Sequence, residues 1–252
     1  RHSVPAGNGV PLDVTKAYDQ YKVVDAFNFQ VEQGELRCLL GPNGAGKTTT
    51  IDLITGRQKS TAGKIIFDGR DITGLREDKI AKRGVGRKFQ VPAVFRELTV
   101  RDNLRVAFNR ISDPFANMIR FGRKEGRERL QEIAELAGLQ DRLDELGGNL
   151  SHGETQWLEI GMVLTQNPKL LLMDEPTAGM SRAESAAMVA LIREVTIGKT
   201  LLMVEHDMQV VFGLADRIAV MDNGRVIACD SAERIRANPD VQALYLDRRR
   251  HG

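Results

Sequence analysis

Two short segments of this 252-residue chain carry residues whose types and spacing suit the binding and cleavage of a nucleoside triphosphate. The first is Gly41-Pro42-Asn43-Gly44-Ala45-Gly46-Lys47-Thr48-Thr49, which matches the phosphate-loop pattern G-x-x-x-x-G-K-[ST] at every fixed position. Its glycines permit a tight turn whose backbone N–H groups face phosphates. We expect Lys47 to reach the β- and γ-phosphates, Thr48 to bind magnesium and Thr49 to contact the α-phosphate. The alternative interpretation is a chance glycine-rich turn.

The second segment, Leu170-Leu171-Leu172-Met173-Asp174-Glu175, is an apolar run that ends in two carboxylates. Asp174 would stand at the C-terminal end of a buried strand, where open α/β sheets bind their ligands, and would hold magnesium through water. Glu175 would polarise the attacking water as a general base. The two segments together predict hydrolysis of ATP or GTP. The alternative is an Asp-Glu pair that merely starts a surface turn before Pro176.

The apolar pattern predicts which elements hold these segments in place. Strands alternate with helices, which implies an α/β fold with a mostly parallel sheet covered on both faces. A hairpin with an Asn223-Gly224 turn joins strands over 217–221 and 226–228. The other predicted strands are 34–40, 63–72 with a turn at Asp68-Gly69, 170–174 and 200–205. The predicted helices are 48–55, 154–166, 182–197 and 208–215.

The strand-like runs disappear in the middle of the chain. The i, i+3, i+4, i+7 spacing of an amphipathic helix appears instead, at Leu130, Ile133, Ala134 and Ala137. We interpret residues 92–154, approximately, as a helical subdomain inserted into a core made of 12–91 and 155–246. The prediction is thus one domain over 1–252, with flexible ends at 1–10 and 247–252.

Composition excludes several classes of protein. The net charge is only +2, so nothing indicates a nucleic-acid partner. No stretch approaches the roughly 20 apolar residues that span a bilayer. The two cysteines do not form a disulfide framework and are interpreted as reduced core residues. The Arg248-Arg249-Arg250 run is read as a solvated tail, with contact to anionic lipid as the alternative.

A third segment, Leu150-Ser151-His152-Gly153-Glu154, lies between the two nucleotide motifs. In this order and spacing it resembles the Leu-Ser-Gly-Gly-Gln signature of the ATP-binding cassette (ABC) ATPases, and the resemblance runs from about Leu12 to about Leu246. It implies a phosphate-loop NTPase core with an N-terminal antiparallel β part and a helical subdomain. His152 and Glu154 depart from the signature, and an inward-facing Glu154 would weaken phosphate binding.

The resemblance also implies further site residues. Tyr18 would stack on adenine, with Tyr21 as the fallback and an edge-strand aromatic as the structural alternative. Gln90, in Phe89-Gln90-Val91-Pro92, matches the glutamine that senses magnesium and water; it is otherwise an exposed loop residue. His206 matches the histidine that would bond the γ-phosphate and Glu175, and is otherwise structural.

In this family the signature acts on the neighbouring subunit. Ser151 and the N–H of Gly153 would cap the γ-phosphate held by the partner's phosphate loop, so the active unit is a head-to-tail dimer with two ATP molecules. Residues 177–181 match the loop that crosses the dimer, although Ser181 stands where Asp is frequent.

The motifs around Gln90, Ser151 and His206 are similar to those of importers for hydrophobic amino acids and amides. The similarity is greatest to the D-type ATP-binding subunit of urea transporters, on the basis of Lys88, His152 and Gln156-Trp157. The branched-chain amino acid type is the alternative. The resemblance implies a heterodimer with a second ATPase and two permeases that dock near residues 92–105. A solute-binding protein outside the membrane would interact with this chain only indirectly, through the permeases. The chain itself would lie on the cytoplasmic face of a bacterial membrane. A soluble ABC ATPase and a small-molecule kinase are the competing readings.

Overall fold

The apolar runs of the sequence form the strands of two compact units. The computed structural model describes residues 10–19, 21–88, 94–109 and 124–248. The first unit comprises Arg1–Ile80 and Thr200–Gly252, and the second comprises Ala81–Lys199. Within the described residues, no helix is both long enough and apolar enough to cross a bilayer.

The first unit begins with an antiparallel sheet in the order β2-β1-β4-β5. The turn predicted at Asp68-Gly69 divides the segment over 63–72 into two strands, and both residues take left-handed backbone angles. The strands are β1 (Val10–Tyr18), β2 (Tyr21–Val31), β4 (Ala62–Phe67) and β5 (Arg70–Asp71).

The same unit contains strand β3 (Leu36–Leu40), which leads into the phosphate loop. It pairs in parallel with β8 (Thr200–Val204) on one side and β9 (Arg217–Asp222) on the other. The last three residues of β3 have no exposed surface, as expected for a strand covered on both faces. Strand β10 (Arg225–Asp230) pairs antiparallel with β9, which confirms the predicted hairpin.

Helices complete the first unit. Helix α1 (Lys47–Ile54) starts directly after the phosphate loop, one residue earlier than predicted. Three further helices follow β8 in the chain, and a fourth, short helix contains the residues at which the chain passes from the first unit to the second. They are α2 (Glu77–Lys82), α7 (Met208–Leu214), α8 (Ala232–Ala237) and α9 (Pro239–Arg248).

The second unit combines a parallel strand pair, β6 (Val85–Lys88) with β7 (Leu170–Asp174), and four helices. The amphipathic face predicted around Leu130 is buried, with exposures of 0–5%. It packs near Gly161, whose missing side chain leaves room for Leu104. The helices are α3 (Val100–Asn109), α4 (Lys124–Leu136), α5 (His152–Leu164) and α6 (Arg182–Val195), with 3-10 turns at Gln140–Arg142 and Gly147–Asn149.

Several predicted boundaries differ from the observed elements. Val10, placed in the flexible N-terminal end, begins β1, and α9 continues to Arg248, so part of each supposed end belongs to an element. Residues 1–9 and 249–252 lie outside the described residues. The helix expected over 182–197 ends at Val195. The division into a core and a subdomain at residues 92 and 154 stays a prediction.

Candidate active site

The phosphate loop is held by contacts that only glycine permits. A Cβ on Gly41 would lie 2.3 Å from the carbonyl oxygen of Met221 in β9. Gly46 has a φ of +99°, and a Cβ there would lie 2.5 Å from the carbonyl oxygen of Val23. Larger residues at these positions would force the backbone apart. The loop is therefore wedged between β2 and β9.

The start of α1 concentrates positive charge at the loop. Gly46 caps the helix without a side-chain hydrogen bond, and the first turn holds no acidic residue. The helix dipole is thus not neutralised by a local carboxylate. Lys47 is 6% exposed, and its Nζ donates to the carbonyl oxygens of Gly41 and Pro42 at 2.7 and 2.9 Å. The Thr48 side chain is exposed beside it. These features suit a polyphosphate.

Tyr18 lies at the end of β1 and is tethered to α1. Its hydroxyl donates to Gln58 Oε1, and Gln58 Nε2 donates to Asp52 Oδ2 in α1 at 3.1 Å. Lys16 Nζ lies 4.7 Å from the centre of the ring, which is 49% exposed. Tyr21, the fallback, is 72% exposed. The tether fixes Tyr18 relative to the helix that begins at the phosphate loop, as a base-stacking residue requires.

Asp174 lies at the C-terminal end of β7 in the second unit, where it is 1% exposed. Its Oδ2 lies 3.7 Å from Arg87 Nη2 on the neighbouring strand β6. The Asp174 carboxyl group is a hard oxygen donor of the kind that a magnesium ion prefers.

Glu175 has an unusual backbone. Its φ is +48°, in the left-handed region that residues other than glycine rarely adopt. This conformation costs on the order of 1–2 kcal/mol. It turns the chain sharply directly after β7. Strain of this kind is frequent at functional sites.

His206 follows β8 in the first unit, and the buried Glu205 organises the turn before it. Glu205 Oε2 accepts from the backbone N–H groups of His206 and Asp207 at 2.8 and 3.3 Å. His206 Nδ1 lies 3.5 Å from the same oxygen, and the imidazole is 60% exposed. Burial raises the pKa of the nearby Cys38 thiol, so this cysteine stays protonated in the core.

The signature forms the start of α5 with Ser151 as its N-cap. Ser151 Oγ accepts from the N–H of Glu154 at 3.2 Å, and the Glu154 carboxylate accepts from the N–H of Ser151 at 2.8 Å. This reciprocal capping box turns the Glu154 carboxylate back onto its own helix. Arg142 Nε lies 3.4 Å from its other oxygen. The concern that Glu154 faces a phosphate is therefore answered by its place in the cap.

The Ser151 side chain is exposed and takes part in the cap in two ways. Its oxygen accepts from the N–H of Glu154, and its hydroxyl donates to the Glu154 carboxylate, which contributes to the lowered pKa of that group. A capping box satisfies only some of the first helical N–H groups, so N–H groups such as that of Gly153 remain. The helix start can thus offer donors to an external anion.

A second capping box lies beside the first. Ser181 caps α6, and its Oγ accepts from the N–H of Glu184 at 3.3 Å. His152 Nε2 lies 3.4 Å from the carbonyl oxygen of Ala178, and a Cβ on Gly153 would lie 3.5 Å from Glu184 Oε1. The signature and residues 177–181 are thus in contact within this unit.

The predicted site residues fall into two groups. Residues 41–49, Tyr18 and His206 belong to the first unit, and Ser151, Gly153, Asp174 and Glu175 belong to the second. Gln90 lies outside the described residues. The sequence did not predict that Met221 supports the phosphate loop, and it did not predict the left-handed backbone of Glu175. The capping box was also not predicted, although Ser151-x-x-Glu154 is a recognisable signal for one.

The oxygen donors fit magnesium. Among the described residues, no cluster of three or more His, Cys, Asp or Glu side chains could form an all-protein metal cage. Magnesium characteristically takes one or two protein oxygens and completes its shell with phosphate and water. Each unit offers one oxygen donor of this kind, the exposed hydroxyl of Thr48 in the first unit and the buried carboxyl group of Asp174 in the second.

Comparison with known proteins agrees with this geometry. Residues 24–178 match the family model described as "ABC transporter". The high-affinity branched-chain amino acid transport ATP-binding protein LivG of Escherichia coli K12 is 36% identical over 232 residues, covering 88% of this chain and 91% of LivG. The ADP conformation of an ATP-binding cassette of an ABC transporter is 31% identical, with a TM-score of 0.82 over 94% of this chain and 98% of that one.

A dimeric bacterial ABC transporter cassette is 25% identical, with a TM-score of 0.75 over 88% of this chain and 98% of that one. The fold is that of an ABC ATPase, α/β with a mostly parallel sheet and an N-terminal antiparallel sheet. The chain belongs to the ABC transporter family, and it is an ATP-binding subunit that hydrolyses ATP.

Proposed function

We propose that this chain powers an importer by hydrolysing Mg·ATP in a site shared with a second cassette. The observation that carries the proposal is a contrast between two helix starts. Helix α1 begins without a side-chain cap or an acidic residue, whereas α5 begins with an exposed serine cap and with first-turn N–H groups that the capping box does not use. The first suits the body of a polyphosphate. The second suits the terminal phosphate presented by a neighbouring subunit.

Residues of the first unit bind the nucleotide in this proposal. Tyr18, held by its tether to α1, stacks on adenine. Lys47 turns from the loop carbonyls to the β- and γ-phosphates, and Thr48 contributes a magnesium oxygen. His206 donates to the γ-phosphate from the exposed turn that Glu205 shapes.

Residues of the second unit complete the reaction. Asp174 and Gln90 would hold a bound magnesium ion, and Gln90 would also contact the attacking water. Glu175 accepts a proton from that water as the water oxygen bonds to the γ-phosphorus, the bond between the γ-phosphorus and the β–γ bridging oxygen breaks, and ADP leaves. Bound magnesium would neutralise charge that develops on the phosphate oxygens.

The phosphate site is tested by Lys47→Ala, with Lys59→Ala as the matched control. Lys47 is buried against the loop, whereas Lys59 is exposed and offers only its carbonyl oxygen, to Lys16. We expect Lys47→Ala to lose nearly all ATP binding, measured by calorimetry, and Lys59→Ala to bind as the parent does. Equal binding by both variants would contradict the proposed site.

The permeases dock on the helical part of the second unit in this proposal. A surface cavity of about 290 Å³ is bordered by residues before α3 and by the turn before α5: Val94, Arg96, Gly147, Gly148 and Leu150. Phe95, beside it, is 51% exposed. An apolar side chain next to a cavity suits an inserted permease helix. This arrangement would place the chain on the cytoplasmic face of the membrane.

Docking is tested with two exposed apolar side chains. Phe95→Asp should release the permeases during purification of the tagged chain from native membranes. Ile197→Asp, at a residue 77% exposed beyond α6, should retain them. Retention by both variants would place the permease contact elsewhere.

The transported solute follows from relatives and not from a site in this chain. The branched-chain amino acid alternative is favoured over urea, because LivG, a branched-chain transport protein, is similar over almost its full length. Urea stays a second candidate because of Lys88, His152 and Trp157. Vesicles reconstituted with the co-purified permeases and binding protein should take up labelled leucine with ATP inside. Uptake of urea but not of leucine would reverse the order of the candidates.

A further inference from the structure

Two buried charges of opposite sign join the signature helix to strand β6. Lys88 is the last residue of β6, and Glu159 lies about two turns into α5 after the Ser151 cap. Lys88 Nζ lies 3.4 Å from Glu159 Oε2, and the side chains are only 3% and 5% exposed. Glu159 is the one ion-pair partner that the described part of the chain gives Lys88.

The neighbouring residue of the strand makes a second contact of the same kind. Arg87 approaches Asp174, and both side chains are at most 5% exposed. Successive residues of a strand point to opposite sides, so β6 directs one cation to β7 and the next to α5. Two cations and two anions are therefore buried together around the end of β6.

Stability alone does not account for the pair formed by Lys88 and Glu159. Removing two charges from water is costly, and a well-packed apolar pair of similar volume is often as stable or more stable. A charged pair does, however, constrain distance and direction, whereas apolar side chains can slide past each other. Such a contact specifies an arrangement more than it strengthens one.

We propose that the Lys88–Glu159 pair is a positioning contact that fixes the signature helix relative to strand β6. The inference rests on the proposed shared site, in which Ser151 at the start of this helix meets the partner's nucleotide. By holding α5 against the end of β6, the pair sets the direction in which this helix presents Ser151.

A positioning role predicts different effects on ATP binding and on ATP turnover. The phosphate loop belongs to the other unit of the chain. Loss of the pair should therefore leave the chain's own ATP affinity unchanged and lower the turnover of the dimer. A residue that only supports folding would lower stability, binding and turnover together.

The test is the double variant Lys88→Met/Glu159→Met, which replaces the pair by unbranched apolar side chains. The matched control is Arg129→Met/Glu132→Met, which removes a surface pair in α4 whose atoms lie 2.7 Å apart. Melting temperature, ATP affinity, and kcat and KM for ATP are measured for both. We expect the pair variant to melt near the parent and bind ATP within about two-fold, with kcat reduced at least about ten-fold at unchanged KM. The control should match the parent throughout.

Full kcat in the double methionine variant would overturn the inference. If that variant does not fold, Glu159→Gln, which keeps the side-chain shape and removes the charge, decides in the same way: reduced kcat at unchanged KM supports the inference and full kcat overturns it. Ser151→Glu, assayed in parallel, distinguishes failure of the shared nucleotide site from failure of the positioning role of the Lys88–Glu159 pair. Full activity of Ser151→Glu would refute the shared site itself, whereas an inactive Ser151→Glu beside a fully active pair variant would refute only the positioning role.

Discussion

Gly224, in the turn between β9 and β10, offers a quantitative test of how the phosphate loop is supported. Its φ is +78°, and a Cβ there would lie 2.6 Å from the carbonyl oxygen of Val23. Its N–H donates to the carbonyl oxygen of Ala45 in the phosphate loop at 3.0 Å. An alanine at this position would therefore disturb the backbone of β2 and the phosphate loop together.

The magnitude follows from two contributions. A left-handed backbone costs a residue other than glycine about 1–2 kcal/mol, and relief of an overpacked contact costs about 1–3 kcal/mol more. Gly69 provides the matched control, because its φ is +70° but nothing lies within 4 Å of a Cβ placed there. Gly69→Ala should show only the first contribution. The difference between the variants isolates the close approach, at about 2 kcal/mol, or roughly 4–8 °C in melting temperature for a chain of this size.

The assay is thermal unfolding followed by circular dichroism, with ADP binding measured by calorimetry. Gly224→Ala should melt below Gly69→Ala and bind ADP several-fold more weakly, because the bond to Ala45 is strained. Gly69→Ala should bind ADP as the parent does. Equal melting and equal affinity in the two variants would refute the reasoning that the hairpin turn supports the loop.

Two further predictions concern carboxylates of the second unit. Glu175→Gln should abolish steady-state phosphate release and melt as the parent does. Glu175→Gly should also be inactive, but its free energy of unfolding should rise by about 0.5–1 kcal/mol, because relief of about 1–2 kcal/mol of left-handed strain exceeds the roughly 0.5–1 kcal/mol that glycine loses in conformational entropy on folding. An active Glu175→Gln would remove this residue from the role of base. Glu154→Gln should keep phosphate release within a few-fold of the parent, because glutamine also closes a capping box. The hydrogen bond from the backbone N–H of Ser151 is the main cause that holds the pKa of Glu154 below its usual value. The ionised carboxylate therefore stabilises the fold fully at a pH above the pKa of the unfolded state. This stabilisation is lost as the pH falls through the lower pKa of the folded state. Melting curves of the parent and Glu154→Gln should therefore converge in acid, and a constant gap would contradict the cap.

The sequence predicted the elements whose signals are local. The apolar run before Asp174 gave strand β7 with its observed bounds, and Asn223-Gly224 gave the hairpin. The phosphate loop was identified from its spacing. These features depend on residues that are close together in the chain, so no knowledge of tertiary contacts was needed.

Features that depend on distant residues were not predictable in this way. The approach of Gly41 to Met221 joins two segments far apart in the chain. The left-handed backbone of Glu175 has no local signal, because glutamate has no preference for that region. Glu154 was a different case: the capping signal was present, but comparison with the signature glutamine drew attention to its charge and not to its partner. The burial of Lys88 against Glu159 likewise required the packing of α5 on β6.

The central claim, that one nucleotide is held between the phosphate loop of one subunit and Ser151 of another, is tested most directly by cross-linking. Asn43 and Ser151 are both exposed and suit replacement by cysteine, in a Glu175→Gln and Cys229→Ser background that slows hydrolysis and removes the accessible native thiol. Oxidation in the presence of ATP and magnesium should give a disulfide-linked dimer, and oxidation without nucleotide should not. Cross-linking that is independent of ATP, or a dimer that forms with ATP bound and does not cross-link, would contradict the shared site.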